Sequence, residues 1–109
     1  MNIGLSSDVL EQIATVLRQN PAVERAILYG SRAMGTYRSG SDIDMAVAGK
    51  GLTFNGLLAL MNQLEDLDLL YSFDVQQYEK IQNTDLIDHI NRVGICIYEQ
   101  ERSVAADTA

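Results

Sequence analysis

The feature that most constrains this chain is a polar segment, Gly30–Asp44, held between two short apolar runs, Ala26–Tyr29 and Met45–Ala48. Apolar runs of this length beside turn-forming residues predict two buried strands joined by a loop. Gly30 follows the first strand directly, and its missing Cβ lets a ligand approach the backbone closely. Ser31 supplies a hydroxyl and an amide at the start of a predicted short helix, where N–H groups and the helix dipole favour phosphate. The start of the segment therefore predicts a phosphate-binding turn.

The same segment ends in two carboxylates, Asp42 and Asp44, which are two residues apart. On a strand, that spacing puts both side chains on one face. Neighbouring carboxylates repel unless a cation lies between them, and hard oxygen ligands suit Mg²⁺ whose shell is completed by substrate phosphate. A phosphate-binding turn followed by a carboxylate pair predicts a site for phosphoryl or nucleotidyl transfer. The alternative is that both are solvated carboxylates on an exposed strand face.

Length and charge narrow the class of protein. The chain has 109 residues, which is enough for one domain with a single modest core. Its formal net charge of −7 argues against direct binding along a nucleic-acid polymer, although Mg²⁺ can mediate between acidic residues and a nucleotide. The one cysteine, Cys96, cannot form an internal disulfide, which suits a reducing compartment. No apolar run approaches the roughly 18 residues of a membrane span, so we expect a cytoplasmic protein without membrane contact.

Hydrophobic periodicity and turn residues predict an alternation of helices and strands. The predicted helices, besides the short one in the polar segment, are Val9–Leu17, Thr53–Asp66 and Thr84–Arg92. The predicted strands are Val23–Tyr29, Asp42–Ala48, Tyr71–Gln76 and Ile95–Tyr98. This order predicts the α/β class, with a small mixed β-sheet and helices packed on one face, and it leaves the strand order open. We expect residues 1–98 to form the domain and residues 99–109 to form a polar, flexible tail.

The polar segment resembles the signature of the DNA polymerase β-like nucleotidyltransferase superfamily, which is a Gly-Ser pair followed after ten residues by Asp-x-Asp. In this chain the matching positions are Gly30, Ser31, Asp42 and Asp44. The short chain is most similar to the minimal nucleotidyltransferases, the MNT antitoxins encoded beside HEPN toxins. The resemblance implies the small mixed sheet of the nucleotidyltransferase fold. It also implies Mg²⁺, with two ions in sites of this kind, and ATP as co-substrate.

Members of that superfamily use a third carboxylate, from a neighbouring strand, on the side of the attacking hydroxyl. Asp74 is the candidate, because it is the single acid between the apolar residues Phe73 and Val75 of a predicted strand. Its competitors, Asp66 and Asp68, lie where a predicted helix runs into a turn, which is typical of surface caps. The resemblance thus assigns metal binding and catalysis to three carboxylates: Asp42, Asp44 and Asp74.

The resemblance assigns the triphosphate contacts to Gly30 and Ser31. Two arginines of the spacer, Arg32 and Arg38, are candidates for neutralising phosphate charge, because a guanidinium matches phosphate oxygens. The alternative for each arginine is an exposed, solubilising charge. The Ser41 hydroxyl precedes the first carboxylate and is a candidate for orienting it.

Two further reactive side chains, His89 and Cys96, carry no predicted chemistry. His89 lies within the last predicted helix and has no Cys or His nearby in sequence to complete a metal site. Cys96 alternates with Ile95 and Ile97 in a predicted strand, and nothing nearby in sequence would favour its thiolate.

The chemistry implied by the resemblance is transfer of a nucleoside monophosphate, AMP from ATP, onto an acceptor hydroxyl. Larger members of the superfamily carry a separate acceptor domain, which this short chain is expected to lack. The resemblance therefore implies a helical HEPN-type partner, whose modification on a tyrosine silences its RNase activity, and a homo- or hetero-oligomer. Two alternatives stay open: a non-catalytic antitoxin that acts by occlusion, and the catalytic half of a split small-molecule nucleotidyltransferase.

Overall fold

The computed structural model describes residues 3–100. The helices and strands follow the predicted order, with the bounds α1 Ser7–Arg18, β1 Arg25–Tyr29, α2 Ser31–Met34, β2 Ile43–Ala48, α3 Phe54–Glu65, β3 Phe73–Gln77, α4 Thr84–Val93 and β4 Ile95–Glu99. A single 3-10 turn, Tyr78–Lys80, connects β3 towards α4. Every helix among residues 3–100 is too short or too polar to pass through a bilayer.

Side-chain caps fix where the three longer helices begin. Ser6, Thr53 and Asn83 are the N-cap residues, and each side chain accepts a hydrogen bond from a first-turn amide. Such caps each contribute about 1 kcal/mol to helix stability. The helices therefore begin at positions that the local sequence determines.

The four strands form one mixed sheet in the order β3-β2-β1-β4. Strand β1 is antiparallel to both β2 and β4, whereas β2 and β3 are parallel. The predicted small mixed sheet is therefore confirmed, and its strand order is now known. The central strands are β1 and β2, so the chain places both ends of its polar segment in the middle of the sheet.

One face of the sheet packs against α1 and α3. Alternate residues of the strands point to this side and join the apolar faces of the two helices in the larger core. The following members of that core are completely buried: Ile13, Leu17, Leu28, Ile43, Met45, Val47, Leu60 and Leu64. Burying each such side chain contributes about 1.5–3 kcal/mol.

The opposite face packs against α4, in a smaller core formed by Ile27, Tyr29, Ala46 and Ile90. The expectation that the helices pack on one face therefore holds for α1 and α3 only. The apolar periodicity of a helix shows that it has a buried side, but it contains no information on which face of the sheet it covers. The position of α4 matters because the predicted carboxylates lie on the same face.

The C-terminal strand is slightly longer than predicted. Strand β4 includes Glu99, and the Gln100 N–H donates to the Glu24 carbonyl oxygen at 2.8 Å. The first two residues of the predicted tail therefore belong to the folded part of the chain. The rest of that tail, residues 101–109, lies outside the described residues, so its flexibility stays a prediction.

Candidate active site

The predicted carboxylates come together at the pair of strands β2 and β3. The parallel register places Asp44 directly beside Asp74, on strands that lie about 4.8 Å apart. Asp42 precedes β2 and lies close enough to act on the charge of Asp44. Asp42 and Asp74 are exposed, whereas Asp44 is half-buried. The structure thus brings all three to the side of the sheet that α4 covers.

The two competing carboxylates, Asp66 and Asp68, lie at the end of α3. Asp66 is the C-cap residue of that helix, and Asp68 follows it with a positive φ of 54°. Both residues are exposed. Their positions match the alternative interpretation of surface caps at a helix end.

The ionisation of Asp44 is less favourable here than in water. Burial raises the pKa of Asp44 above its usual value, and the charges of Asp74 and Asp42 raise it further. Arg32 and His89 act in the opposite direction without reversing the shift. A half-buried carboxylate between two others is stabilised by any cation that binds beside it.

Tyr29 lies on the other side of Asp44, in the antiparallel register of β1 with β2. Its side chain is buried, and burial raises the pKa of the phenol to about 12, with further contributions from the charges of Asp74 and Asp44. The phenol therefore stays protonated at neutral pH. Tyr29 can donate a hydrogen bond in this site, but it cannot act as a base.

Gly30 lies directly beneath the Asp44 carboxylate. Its φ of 75° and ψ of −152° belong to a region that is essentially restricted to glycine. A Cβ at this position would also overlap the Oδ2 atom of Asp44. Conformation and space therefore both require glycine here, and the group that approaches the Gly30 backbone is the protein's own carboxylate.

Ser31 is the first residue of α2, and Gly30 is its N-cap. The Met34 N–H donates to the Gly30 carbonyl at 3.1 Å, and the Thr36 N–H donates to the Ser31 carbonyl at 2.9 Å. The amides at the start of such a turn have no partner inside the helix. Ser31 is half-buried and directly follows the glycine that Asp44 approaches, and its phosphate role stays a prediction.

Arg32 neither faces the phosphate site nor lies exposed on the surface, which were the two predictions for it. Its side chain is only 2% exposed. Nη1 donates to the Ile3 carbonyl at 3.1 Å and to the Gly4 carbonyl at 3.4 Å, and Nη2 donates to the Ser41 carbonyl at 2.8 Å. The guanidinium therefore joins the N-terminal segment to the residue that precedes Asp42.

Two tyrosine rings enclose the same guanidinium. Its central carbon lies 5.2 Å from the ring centre of Tyr37 and 4.9 Å from that of Tyr71, within the range of a cation–π interaction. The buried Arg32 is therefore not the exposed charge of the alternative prediction. Its Nη1 and Nη2 atoms donate to backbone carbonyls, although phosphate oxygens were the predicted partners. Its charge still acts on Asp44, whose pKa it lowers.

Arg38 and Ser41 form the turn that leads into Asp42. The Ser41 N–H donates to the Arg38 carbonyl at 2.9 Å, and the Arg38 N–H donates to the Ser41 Oγ at 2.7 Å. The Ser41 hydroxyl therefore shapes the backbone before Asp42. The Arg38 side chain is exposed on the same loop, so its predicted contact with phosphate stays a prediction.

His89 belongs to this site, although the sequence interpretation gave it no role. The Gly30 N–H donates to the Nε2 atom of His89 at 3.1 Å. The imidazole also meets the Tyr29 ring edge-to-face, with ring centres 6.1 Å apart. Only the packing of α4 over the carboxylate face could have indicated this contact, because 59 residues separate the two partners.

The carboxylates suit a hard divalent cation, although they do not form a complete site alone. Among residues 3–100, no three Asp, Glu, His or Cys side chains converge closely enough to enclose a metal ion. Asp44 and Asp74 nevertheless offer oxygen ligands side by side, and their repulsion raises the pKa of Asp44. Mg²⁺ is typically held by one or two carboxylates together with substrate phosphates. Asp42, Asp44 and Asp74 therefore fit Mg²⁺ that arrives with a triphosphate.

The sequence matches a known family over most of its length. Residues 11–103 match the family model described as polymerase beta, nucleotidyltransferase. No curated protein matches the chain closely enough to count as a relative. The family match includes every carboxylate of the site.

Solved structures share the fold. A toxin–antitoxin crystal structure with AMP-PNP contains a chain that is 26% identical, with 84% of this chain and 74% of that chain covered and a TM-score of 0.68. A tri-AMPylated Shewanella oneidensis HEPN toxin in complex with MNT antitoxin gives 22% identity, coverage of 88% and 74%, and a TM-score of 0.65. The toxin–antitoxin MntA–HepT gives 22% identity, coverage of 87% and 74%, and a TM-score of 0.64. The latter two establish similarity of fold.

Proposed function

Because this chain belongs to the polymerase β nucleotidyltransferase family, we propose that it transfers AMP from ATP to a hydroxyl of a HEPN-type partner protein. In this proposal the chain is the antitoxin of a toxin–antitoxin pair, and the modification silences the toxin. The observation that carries the proposal is the register of Asp44 with Asp74 above Gly30. Similar structures support the nucleotide and the partner, since one toxin–antitoxin was solved with AMP-PNP and one HEPN toxin is tri-AMPylated.

The proposed reaction is attack by the acceptor hydroxyl oxygen on the α-phosphorus of ATP. A bond forms between that oxygen and the α-phosphorus, and the bond from the α-phosphorus to the bridging oxygen breaks. Pyrophosphate leaves with the electron pair, and the hydroxyl proton passes to the Asp74 carboxylate. Mg²⁺ held by the carboxylates would supply charge neutralisation of the triphosphate and a lower pKa for the attacking hydroxyl.

The two strands divide these tasks. Asp44 is half-buried on the central strand β2, beside Gly30 and Ser31, so the triphosphate is expected to lie over this strand with the turn amides towards its phosphates. Asp74 is exposed on the edge strand β3, where a protein acceptor has room to approach. Asp42 completes the carboxylate group from the loop, and the exposed Arg38 neutralises phosphate charge. Holding both substrates in this relative orientation supplies much of the rate enhancement of such a transfer.

The proposal is tested with a HEPN-type protein encoded beside this chain. The two proteins are co-purified, incubated with ATP and Mg²⁺, and analysed by intact-mass spectrometry. We expect the partner to gain mass in AMP-sized increments and to lose RNase activity. Asp42→Asn should still form the complex but leave the partner mass unchanged, whereas the matched control Asp66→Asn should behave like the wild type.

Other outcomes would favour the alternatives. A partner that is inhibited without any gain of mass would indicate occlusion. Modification of small alcohols or aminoglycosides in place of the partner would indicate one half of a split small-molecule nucleotidyltransferase. The cytoplasmic location, the oligomeric state and the preference for ATP over other nucleotides stay predictions within this proposal.

A further inference from the structure

The His89 imidazole is held against the backbone of the phosphate turn by two contacts. Its Nε2 atom accepts the Gly30 N–H at 3.1 Å. Its ring meets the Tyr29 ring at an interplanar angle of 83°. These contacts are to consecutive residues at the end of β1, so they restrain both the position and the tilt of the imidazole.

The helix that carries His89 is itself anchored by the residue that follows it. The next residue, Ile90, is 2% exposed and packs into the smaller core with Ile27 and Ala46. A side chain supported in this way by a rigid element is suited to hold a neighbouring group in position.

The direction of the hydrogen bond determines which donors of the turn remain for a ligand. A neutral imidazole accepts through one nitrogen and donates through the other, so acceptance at Nε2 places the proton on Nδ1. The Gly30 N–H is thereby occupied by the protein. The donors that remain along the turn begin at Ser31, the residue to which the proposed function assigns the phosphates.

We infer that His89 is a positioning residue for the triphosphate. It holds the Gly30 peptide in its positive-φ conformation, so that the Ser31 end of the turn faces the phosphates before a nucleotide binds. This inference rests on the proposed function, because it concerns the same phosphate turn. It adds a residue that lies outside the Gly-Ser and Asp-x-Asp signature.

Three substitutions of His89 separate its hydrogen bond from its bulk. The carboxamide oxygen of His89→Gln reaches approximately the position of Nε2, whereas that of His89→Asn lies nearer the position of Nδ1, and His89→Ala has no acceptor. The binding constant for AMP-PNP with Mg²⁺ is measured by calorimetry, and KM and kcat for ATP are measured on the partner protein. Asn91→Ala is the matched control, since it removes a different hydrogen bond of the same helix.

We expect His89→Ala to weaken AMP-PNP binding and raise KM for ATP by about three- to tenfold, the usual worth of one hydrogen bond. Because the contact is present in ground state and transition state alike, kcat should change by less than about twofold. His89→Gln should restore wild-type binding, His89→Asn should not, and Asn91→Ala should bind like the wild type. In the wild-type protein, ¹⁵N NMR of the imidazole should show the proton on Nδ1.

Several outcomes would overturn the inference. Tighter nucleotide binding by His89→Ala would mean that the imidazole obstructs the turn. If His89→Gln and His89→Asn bound AMP-PNP equally well, or if the imidazole proton were on Nε2, His89 would contribute packing and no hydrogen bond to the turn. The proposed function can fail separately. If the His89 variants bind AMP-PNP as expected but no AMP reaches the partner, the transfer reaction is wrong and the positioning role stands. If AMP is transferred but the His89 variants all bind AMP-PNP like the wild type, the positioning role is wrong and the transfer reaction stands.

Discussion

The two faces of the sheet are built from the same strands but have opposite energetics. Towards α1 and α3, the side chains of Leu28, Ile43 and Met45 are completely buried and gain free energy from burial. Towards α4, Asp44 lies near the like charges of Asp74 and Asp42, and burial makes its ionised form less favourable. The alternation along each strand therefore separates a face that stabilises the fold from a face that carries the proposed chemistry.

The largest expected effect comes from removing one charge on the carboxylate face. Asp44→Asn should reduce AMP transfer at least about 100-fold, because metal-held charge stabilisation contributes several kcal/mol to such reactions. The melting temperature should not fall, because the substitution removes repulsion from Asp74 and Asp42. Transfer is measured with radiolabelled ATP, and melting by circular dichroism. Asp66→Asn serves as the control, and a variant that kept near-wild-type transfer would remove Asp44 from the site.

A truncation on the opposite face should lower stability and leave nucleotide binding unchanged. Leu28→Ala lies one residue from Tyr29 but points into the larger core. It should lower the free energy of unfolding by about 3 kcal/mol, the usual cost of such a cavity. Urea titration measures this change, and KM for ATP measured at a temperature where the variant stays folded should be near the wild-type value. A large rise in KM without loss of stability would show that the two faces are not separable.

Substitution of the two arginines of the spacer should also separate stability from nucleotide binding. Arg32→Lys cannot reproduce the three hydrogen bonds to backbone carbonyls and should lower the free energy of unfolding by about 1–3 kcal/mol. Arg38→Lys should leave stability unchanged but raise KM for ATP several-fold, because Arg38 is exposed on the loop before Asp42 and the proposed function assigns it to the phosphates. Paired urea and kinetic measurements decide between them. If Arg32→Lys altered only KM, its guanidinium would belong with the phosphate ligands after all.

The smallest expected effect is a pH dependence of stability. The pKa of Asp44 in the folded protein is raised above its unfolded value of about 3.9, so stability is lost as the pH rises from the unfolded towards the folded value. Asp44→Asn cannot ionise, and it should therefore gain stability relative to the wild type as the pH rises from the unfolded towards the raised folded value. The gain should be smaller than the other effects, because Asp44 is only half-buried and solvent screens its charge. Urea titrations of both proteins in EDTA test this; a wild type that gains on the variant as the pH rises contradicts it.

The parts of this fold that the sequence predicts are those that depend on near neighbours. Gly30, Ser31 and the carboxylates Asp42 and Asp44 could be found because one loop connects them. Asp74 was identified as the one acid between apolar strand residues, and the register places it beside Asp44. Its catalytic role, like that of the other two, stays a prediction until the variants are measured.

The parts that the sequence misses depend on contacts between distant segments. Arg32 was predicted to contact phosphate, with an exposed charge as the alternative, but the N-terminal segment and the Tyr71 ring enclose it. His89 had no partner nearby in sequence, because its partner is the Gly30 amide 59 residues away. Both misses are contacts between segments that are far apart in the sequence. For His89, periodicity shows that α4 has a buried side, but not that it covers the carboxylate face.

The most direct test of nucleotidyl transfer at the carboxylate face compares two labels in one reaction. The co-purified pair is incubated with Mg²⁺ and ATP labelled at either the α- or the γ-phosphate, and label retained by the partner protein is measured. With the wild type, the α-label should stay on the partner and the γ-label should leave with pyrophosphate. With Asp74→Asn, the partner should retain little of either label. Retention of the γ-label, or full retention of the α-label by Asp74→Asn, would contradict AMP transfer at the Asp44–Asp74 pair.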